Sequence, residues 1–195
     1  MENRVGSIEV IVGGMYSGKT EELIRRLRRA QLARQQVQVF KPAIDKRYHE
    51  ADVTSHNLNS VPATPVTDAS EIIQLVDQKS QVVGIDEGQF FKSNIIQVVQ
   101  DLAQMGFRVI VAGLDTDWKA MPFEPMPTLM AIAESVTKQH AVCVVCGNAA
   151  SRTQRVLASE QQVMVGSHGM YEARCRLHFR PEVVTPHLVE PSLNL

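Results

Sequence analysis

A glycine-rich segment near the start of the chain has the residue types and spacing of a phosphate-binding loop. Residues 13–20 read GGMYSGKT, which fits the pattern G-x-x-x-x-G-K-[ST]. The glycines let backbone N–H groups converge on phosphate oxygens, and a helix that follows would point its positive end at the same anion. Lys19 is then expected to contact the β- and γ-phosphates of a nucleotide, and Thr20 to hold Mg²⁺ through its hydroxyl. The alternative is a glycine-rich turn with Lys19 in solvent.

Two adjacent acidic residues, Asp86 and Glu87, close a short apolar run, VVGI. An acid at the end of a strand near a phosphate loop can position Mg²⁺, directly or through water. Adjacent side chains in a strand point to opposite faces, so one acid can serve the metal while the other faces the acceptor. Glu87 is our candidate general base, because a nucleophilic hydroxyl must lose its proton to a group within hydrogen-bond distance. A solvated acid pair at a sheet edge is the alternative.

All three cysteines and one histidine fall into two pairs with the short spacing of zinc ligands. Cys143 and Cys146 form a C-x-x-C pair, and Cys175 and His178 form a later C-x-x-H pair. Two such knuckles can close one tetrahedron, and a Cys₃His set without an open position indicates a structural zinc ion. An odd cysteine count and a reducing compartment argue against disulfides. The alternative to a zinc site is therefore three unrelated buried thiols.

The elements that must position these residues are predicted from the apolar pattern. Strand-like runs alternate with helical stretches through the first part of the chain, and such nearly all-apolar runs suit parallel strands covered on both faces. This alternation predicts an α/β fold with a mostly parallel, P-loop-type sheet flanked by helices. The predicted strands are 7–12, 36–42, 82–86 and 107–114; the predicted helices are 20–35, 70–78 and 94–105; 42–62 and 115–130 are predicted loops.

The pattern changes near residue 136, where short strand-like pieces replace helices and the paired cysteines begin. We therefore predict three parts. Residues 1–135 form an α/β nucleotide-binding domain, 136–183 form a small zinc-stabilised lobe, and 184–195 form a loose tail.

Composition and charge narrow the classes of function. The chain has 195 residues with 20 Lys and Arg, 21 Asp and Glu, and a formal net charge of -1. At this charge there is no long-range attraction to nucleic acid, so phosphate chemistry must come from a local site. The N-terminal segment lacks the apolar core of a signal peptide, and no apolar run approaches the ~18 residues of a membrane span. We expect a cytoplasmic protein that binds neither nucleic acid nor membrane.

Together the motifs resemble those of the cellular-type (type II) thymidine kinase family. GGMYSGKT, IDEGQFF, AESVTKQHAVCVVC and CRLH follow in this order between about Ile8 and Arg180. The resemblance implies transfer of the ATP γ-phosphate to the 5′-hydroxyl of thymidine, which makes dTMP by salvage. It also implies Mg²⁺ with ATP, a structural Zn²⁺, feedback inhibition by dTTP and a homotetramer.

The resemblance also implies roles for individual residues, with Glu87 as the catalytic base. The ATP and Mg²⁺ site would comprise Gly13, Gly14, Met15, Tyr16, Ser17, Gly18, Lys19, Thr20, Asp45, Arg47, Asp86 and Gln89. The nucleoside site would comprise Met15, Phe90, Leu114, Trp118, Phe123, Thr153, Val163, Val165, Gly166 and Tyr171. In the family a lasso segment, here 162–166, closes over the nucleoside. The family often has Phe at the position of Trp118, and commonly Gly-Gly where this chain has Gly166-Ser167.

Two alternatives to a nucleoside kinase remain open. An ATP-binding regulatory switch would use the zinc lobe to bind a partner, and a plain ATPase would use Glu87 to activate water. Nucleic acid is disfavoured as the partner of such a switch, because the zinc lobe carries no dense basic cluster.

Overall fold

The computed structural model describes residues 5–43, 52–54, 60–156 and 170–182. The strands in these ranges are β1 (Ser7–Val12), β2 (Val37–Pro42), β3 (Asp52–Thr54), β4 (Ser60–Pro62), β5 (Thr64–Val66), β6 (Val82–Ile85), β7 (Arg108–Gly113), β8 (Ser135–Lys138), β9 (Ala141–Val142), β10 (Ala149–Ala150), β11 (Arg152–Arg155) and β12 (Tyr171–Arg174). The helices are α1 (Lys19–Leu32), α2 (Ser70–Leu75), α3 (Asn94–Gln104) and α4 (Met126–Ile132), with a 3₁₀ turn at Gly88–Phe90.

A six-stranded sheet in the order β5-β2-β6-β7-β1-β8 organises the described part of the chain. Every neighbouring pair in it is parallel. All four residues of β6 are buried, as are the last five of β7, which is the pattern of parallel strands covered on both faces. The predicted α/β fold with a mostly parallel sheet is confirmed.

Helices cover both faces of the sheet, and alternate residues of β1 point into two separate apolar layers. Ile11 packs with the buried face of α1, which contributes Leu23, Ile24, Leu27 and Ala30. Val10 and Val12 belong to the other layer, with buried residues of α2, α3 and α4. Helix α1 lies close to the sheet, since a Cβ on Gly84 would come within 3.0 Å of a Leu27 methyl.

A half-buried charge network ties α1 to three strands. The Glu9 carboxylate in β1 accepts hydrogen bonds from Arg26 Nη1 at 2.7 Å and from Arg108 Nε at 2.6 Å. Arg26 also donates to the Thr137 hydroxyl in β8 at 2.8 Å. Burial opposes ionisation of Glu9, but the two guanidinium groups outweigh it and hold its pKa below the usual value. The network therefore fixes α1, and with it the segment that precedes α1, against the sheet.

Some predicted boundaries are wrong for identifiable reasons. The stretch 42–62 is not wholly a loop, because β3 and β4 pair as an antiparallel ribbon. Few apolar residues occur in this stretch, so the sequence pattern does not indicate strands. Helix α1 ends at Leu32 rather than 35, since Arg34 has a left-handed backbone with φ 59°. The predicted loop 115–130 ends in α4, whose second residue is Pro127.

The predicted division into domains falls inside an element. Strand β8 pairs with β1 in the main sheet, so it spans the boundary predicted at residue 136. The predicted tail, 184–195, lies outside the described residues. None of the helices in the described ranges has the length and apolar character that a membrane span requires.

We predict that Leu27→Ala lowers the free energy of unfolding by about 2–5 kcal/mol, because it opens a cavity between α1 and β6. Leu32→Ala in the same helix is the matched control: Leu27 is 0% exposed and Leu32 is 84% exposed. The control is expected to change stability by less than about 0.5 kcal/mol. Equilibrium urea denaturation measures both, and equal losses would contradict the proposed packing of α1.

Candidate active site and candidate zinc centre

The phosphate-loop motif forms the connection between β1 and α1. Gly13 has φ 151° and Gly18 has φ 81°, both in the region that disfavours side chains. A Cβ on Gly13 would lie 2.4 Å from the Gln139 carbonyl oxygen, so only glycine fits there. The loop therefore passes tightly beside the segment after β8 and leads directly into the first turn of α1.

Lys19 folds back across this loop, where Nζ donates to the Gly14 carbonyl at 2.9 Å. Burial lowers the pKa of its ammonium group, while the carboxylates of Glu87, Asp86 and Asp115 act in the opposite direction. One cation thus faces three acids from the ends of two neighbouring strands. Because the chain as a whole is nearly neutral, we expect phosphate chemistry to depend on a local group of charges, and this cluster is such a group.

Asp86 lies beside the phosphate loop at the end of β6. The Thr20 hydroxyl donates to Asp86 Oδ2 at 3.3 Å, which brings a hydroxyl and a carboxylate oxygen together. Burial, reinforced by the neighbouring Glu87 carboxylate, raises the pKa of Asp86 to about 7. The two groups supply the hard oxygen donors that Mg²⁺ prefers.

The predicted alternation of Asp86 and Glu87 across a strand is wrong, because β6 ends at Ile85. Glu87 instead has a left-handed backbone, φ 53° and ψ 42°, and leads into the 3₁₀ turn. The backbone conformation of Glu87, rather than the pleat of a strand, therefore sets the relative direction of the two side chains. Gln89, in the same turn, donates from Nε2 to Glu87 Oε2.

Aromatic side chains predicted for the nucleoside site lie in the 3₁₀ turn and after β7. The rings of Phe90 and Phe123 pack edge to face with centroids 6.2 Å apart. Leu114 directly follows β7, and its amide donates to Gln89 Oε1 at 2.9 Å. Trp118 is also buried, in the segment between β7 and α4.

The antiparallel ribbon β11–β12 is hydrogen-bonded to the phosphate loop. Met15 N donates to the Thr153 hydroxyl of β11 at 3.0 Å, and the Tyr16 hydroxyl donates to the Tyr171 carbonyl of β12 at 3.2 Å. A Cβ on Gly14 would lie 3.1 Å from the same Thr153 oxygen, so the approach is close. The structure thus brings the predicted nucleoside residues Met15, Thr153 and Tyr171 to the predicted phosphate site.

A buried arginine in this ribbon was not predicted. Arg155 is 0% exposed, and its guanidinium carbon lies 4.3 Å from the Trp118 ring centroid and 5.3 Å from that of Tyr171. Its Nη2 donates to the Tyr171 hydroxyl at 2.8 Å. One face of Trp118 is therefore covered by a cation. The available signal was strand periodicity, which puts Arg155 on the same face as Thr153.

An ion pair beside the phosphate loop was also not predicted. Lys138 Nζ at the end of β8 lies 2.7 Å from Asp115 Oδ2, just after β7. Strands β7 and β8 flank β1 on its two sides, so the pair spans the point where the phosphate loop begins. The rule that parallel strands carry functional side chains at their carboxyl ends could have singled out Asp115.

The four predicted zinc ligands converge on one point. The three Sγ atoms and a His178 ring nitrogen all lie within 4.8 Å of one another. Cys146 and Cys175 sulfurs are 3.8 Å apart, and His178 Nδ1 lies 3.7 Å from Cys143 Sγ and 3.3 Å from Cys175 Sγ. Tetrahedral Zn–S bonds of ~2.3 Å separate sulfur atoms by about 3.8 Å, so the residues fit a zinc ion.

Backbone contacts prepare this candidate zinc centre. Burial opposes ionisation of Cys143, but N–H groups of Cys175, Val145 and Cys146 outweigh it and lower the pKa of the Cys143 thiol to about 6. A thiolate is the form that binds zinc. Arg174 Nη1 donates to the His178 carbonyl at 3.3 Å, which holds the second knuckle to β12.

The remaining predicted site residues, Asp45, Arg47, Val163, Val165 and Gly166, lie outside the described ranges. Their predicted roles stay predictions, as do those of the residues placed above.

The family model and the curated relatives that match this chain carry the same name. A family model described as thymidine kinase matches residues 6–179. A thymidine kinase of Bdellovibrio bacteriovorus is 67% identical over 183 residues, which are 94% of this chain and 90% of that protein. A thymidine kinase of a Rhodothermus species is 56% identical over 177 residues, 91% of this chain and 83% of that protein.

A solved structure, the flagellar accessory protein FlaH from Methanocaldococcus jannaschii, resembles the chain in fold alone. Its TM-score is 0.51 at 11% sequence identity, over 75% of this chain and 76% of that one.

We predict that the purified protein carries about one zinc ion per chain and that Cys146→Ser removes it, because three ligands remain of the four required. Leu177→Ser is the matched control, since Leu177 lies between the ligands Cys175 and His178 and is exposed. Metal analysis after exhaustive dialysis measures the stoichiometry. Full zinc retention by the Cys146 variant would contradict the Cys₃His assignment.

Proposed function

The chain belongs to the thymidine kinase family, and we propose that it transfers the γ-phosphate of ATP to the 5′-hydroxyl of thymidine. The hydrogen bond from Met15 N to the Thr153 hydroxyl carries this proposal. It joins the phosphate loop to the ribbon that bears predicted nucleoside residues. Direct transfer requires the two substrates side by side, because the attacking and leaving oxygens must lie in line with phosphorus.

The phosphate side of the reaction is proposed to depend on position and charge. Backbone N–H groups of the loop and the Lys19 ammonium would bind the phosphates of ATP, at the positive end of α1. The Thr20 hydroxyl and the Asp86 carboxylate, 3.3 Å apart, would hold Mg²⁺. When bound, Mg²⁺ neutralises charge on the phosphates. Arg47 and Asp45 are proposed, from the resemblance alone, to assist there.

Glu87 is proposed as the general base. Its carboxylate takes the proton of the 5′-hydroxyl as the bond from O5′ to the γ-phosphorus forms and the bond from that phosphorus to the bridging oxygen of ADP breaks. The carboxylate lies near Lys19, which contributes to the electrostatic environment of both substrates. The products are dTMP and ADP, with the proton on Glu87.

The nucleoside side is proposed to be apolar, with Phe90, Leu114 and Phe123 against the base. The resemblance adds a lasso at 162–166 that pairs with the pyrimidine edge through backbone groups. It also supports inhibition by dTTP, assembly as a homotetramer and a cytoplasmic location, which we include in the proposal.

We predict that ADP release from ATP and Mg²⁺ depends on added thymidine. Lys19→Ala should abolish it, and Glu87→Gln should lower kcat by about 10²–10⁴-fold, the usual contribution of a general base. Lys79→Ala and Glu124→Gln, two exposed positions, are matched controls that should keep wild-type turnover. A coupled assay for ADP measures all variants with and without thymidine.

The same assay decides between the alternatives. Equal ADP release with and without thymidine would support a plain ATPase with Glu87 acting on water. Absence of release in both, with ATP bound, would support a regulatory switch. Either outcome would contradict the kinase proposal.

We also predict that zinc affects thymidine more than ATP. Cys146→Ser should raise the KM for thymidine by about tenfold, because an unanchored ribbon must be ordered when the nucleoside binds. The KM for ATP should change less, since the phosphate loop is held by β1 and α1. Steady-state kinetics with each substrate varied in turn measures both, and equal changes would contradict an anchoring role for zinc.

A further inference from the structure

We propose that Gln89 is a positioning residue, which holds the Glu87 carboxylate in the orientation that accepts the substrate proton. This inference rests on the proposed function, because it assigns a second side chain to the same step. The family resemblance places Gln89 among the residues of the ATP site. The contacts of its side chain point instead to Glu87 and to the end of β7.

Both ends of the Gln89 amide are engaged within the protein. Its Nε2 donates to Glu87 Oε2, and its Oε1 accepts from Leu114 N at 2.9 Å. The residue is 3% exposed. A primary amide offers a donor and an acceptor in one rigid plane. Gln89 therefore connects the turn that carries the base to the segment that follows β7.

The surroundings leave this amide little room to turn. A Cβ on Gly113 would lie 2.8 Å from Gln89 Oε1 and 2.7 Å from Met126 Sδ. The backbone of β7 thus approaches the amide closely from one side, with the Met126 thioether beside it. Rotation of the amide would break the hydrogen bond with Leu114 N and leave a buried donor unpaired, which is costly.

This arrangement divides the two oxygens of Glu87 between two tasks. Oε2 accepts from Gln89, and no residue in the described ranges donates to Oε1. The second oxygen can therefore receive the proton of a 5′-hydroxyl while the first fixes the plane of the carboxylate. The backbone of Glu87 lies outside any strand, with φ 53°. The sheet therefore does not fix the direction of its side chain, and a hydrogen bond from a neighbouring side chain can do so.

Gln89 is also hydrogen-bonded to a residue predicted for the nucleoside site. Leu114 is one of the residues predicted to contact the base, and its amide is the anchor of Gln89. Gln89 thereby fixes the orientation of the Glu87 carboxylate relative to the apolar residues that the nucleoside is expected to contact. Misorientation of the base should slow transfer without weakening substrate binding, since neither amide contact is made to substrate.

The test is a double-mutant cycle between Glu87 and Gln89. Gln89→Met keeps the length of the side chain but removes both hydrogen bonds, and we expect kcat to fall about 10- to 100-fold with both KM values nearly unchanged. In a Glu87→Gln background the same substitution should cost less than about threefold, because a residue that acts through the base has no further effect once the base is absent.

Gln89→Asn supplies a second route if the Met variant does not fold. It keeps the amide but is one methylene too short to reach both partners, so the same loss of kcat is expected. Thermal unfolding of each variant, with Lys79→Ala as reference, shows whether the fold is retained.

The outcomes separate this inference from the proposed function. Full additivity of the two substitutions, or a raised KM for ATP with kcat unchanged, would overturn the positioning role while wild-type turnover still requires thymidine. Wild-type protein without thymidine-dependent ADP release would overturn the proposed function, and with it the premise of the inference.

Discussion

Parallel strands place their carboxyl ends at one edge of a sheet, and the polar groups of the candidate active site lie together for that reason. The phosphate loop follows β1, the Asp86–Glu87 pair follows β6, and Leu114 and Asp115 follow β7 between them. Two contacts show that these three segments meet: Thr20 with Asp86, and Leu114 with Gln89. Each depends on strand order, which in turn depends on apolar residues filling both faces of the sheet. The site is thus a consequence of the core rather than an addition to it.

The site in turn carries an electrostatic cost. Asp86, Glu87 and Asp115 all act on the single ammonium group of Lys19, which burial makes harder to charge. Lys138 compensates Asp115, but Asp86 and Glu87 remain adjacent. Burial, with the repulsion of the Glu87 carboxylate added to it, raises the pKa of Asp86. A divalent cation between the Thr20 and Asp86 oxygens would favour the charged carboxylate. The proposed Mg²⁺ would therefore offset part of this electrostatic cost.

Local motifs and tertiary contacts differ in how far the sequence predicts them. The phosphate loop and the paired zinc ligands are encoded within a few residues, and the strands are continuous apolar runs, so both could be predicted. The left-handed backbone at Glu87 could not, because that conformation is uncommon for a residue other than glycine and nothing in the local residue pattern marks it. The Arg155 contacts with Trp118 and Tyr171, and the ion pair of Asp115 with Lys138, join residues far apart in sequence. Nothing local marks them beyond strand periodicity.

The candidate zinc lobe has a very small core, and its ribbon β11–β12 lies against the phosphate loop. Its apolar cluster consists largely of alanines and cysteines, namely Ala141, Cys143, Ala150, Ala173 and Cys175. Such side chains bury little apolar area, so we expect a metal that binds only the folded arrangement to contribute much of the stability of this lobe. The ribbon β11–β12 then makes its contacts with Met15, Tyr16 and Trp118, on the α/β side. Arg155 is buried against Trp118, and a buried cation needs fixed partners, so this contact also restricts the position of the ribbon. In the proposed function, zinc would thus stabilise the part of the chain that carries the predicted nucleoside residues Thr153 and Tyr171.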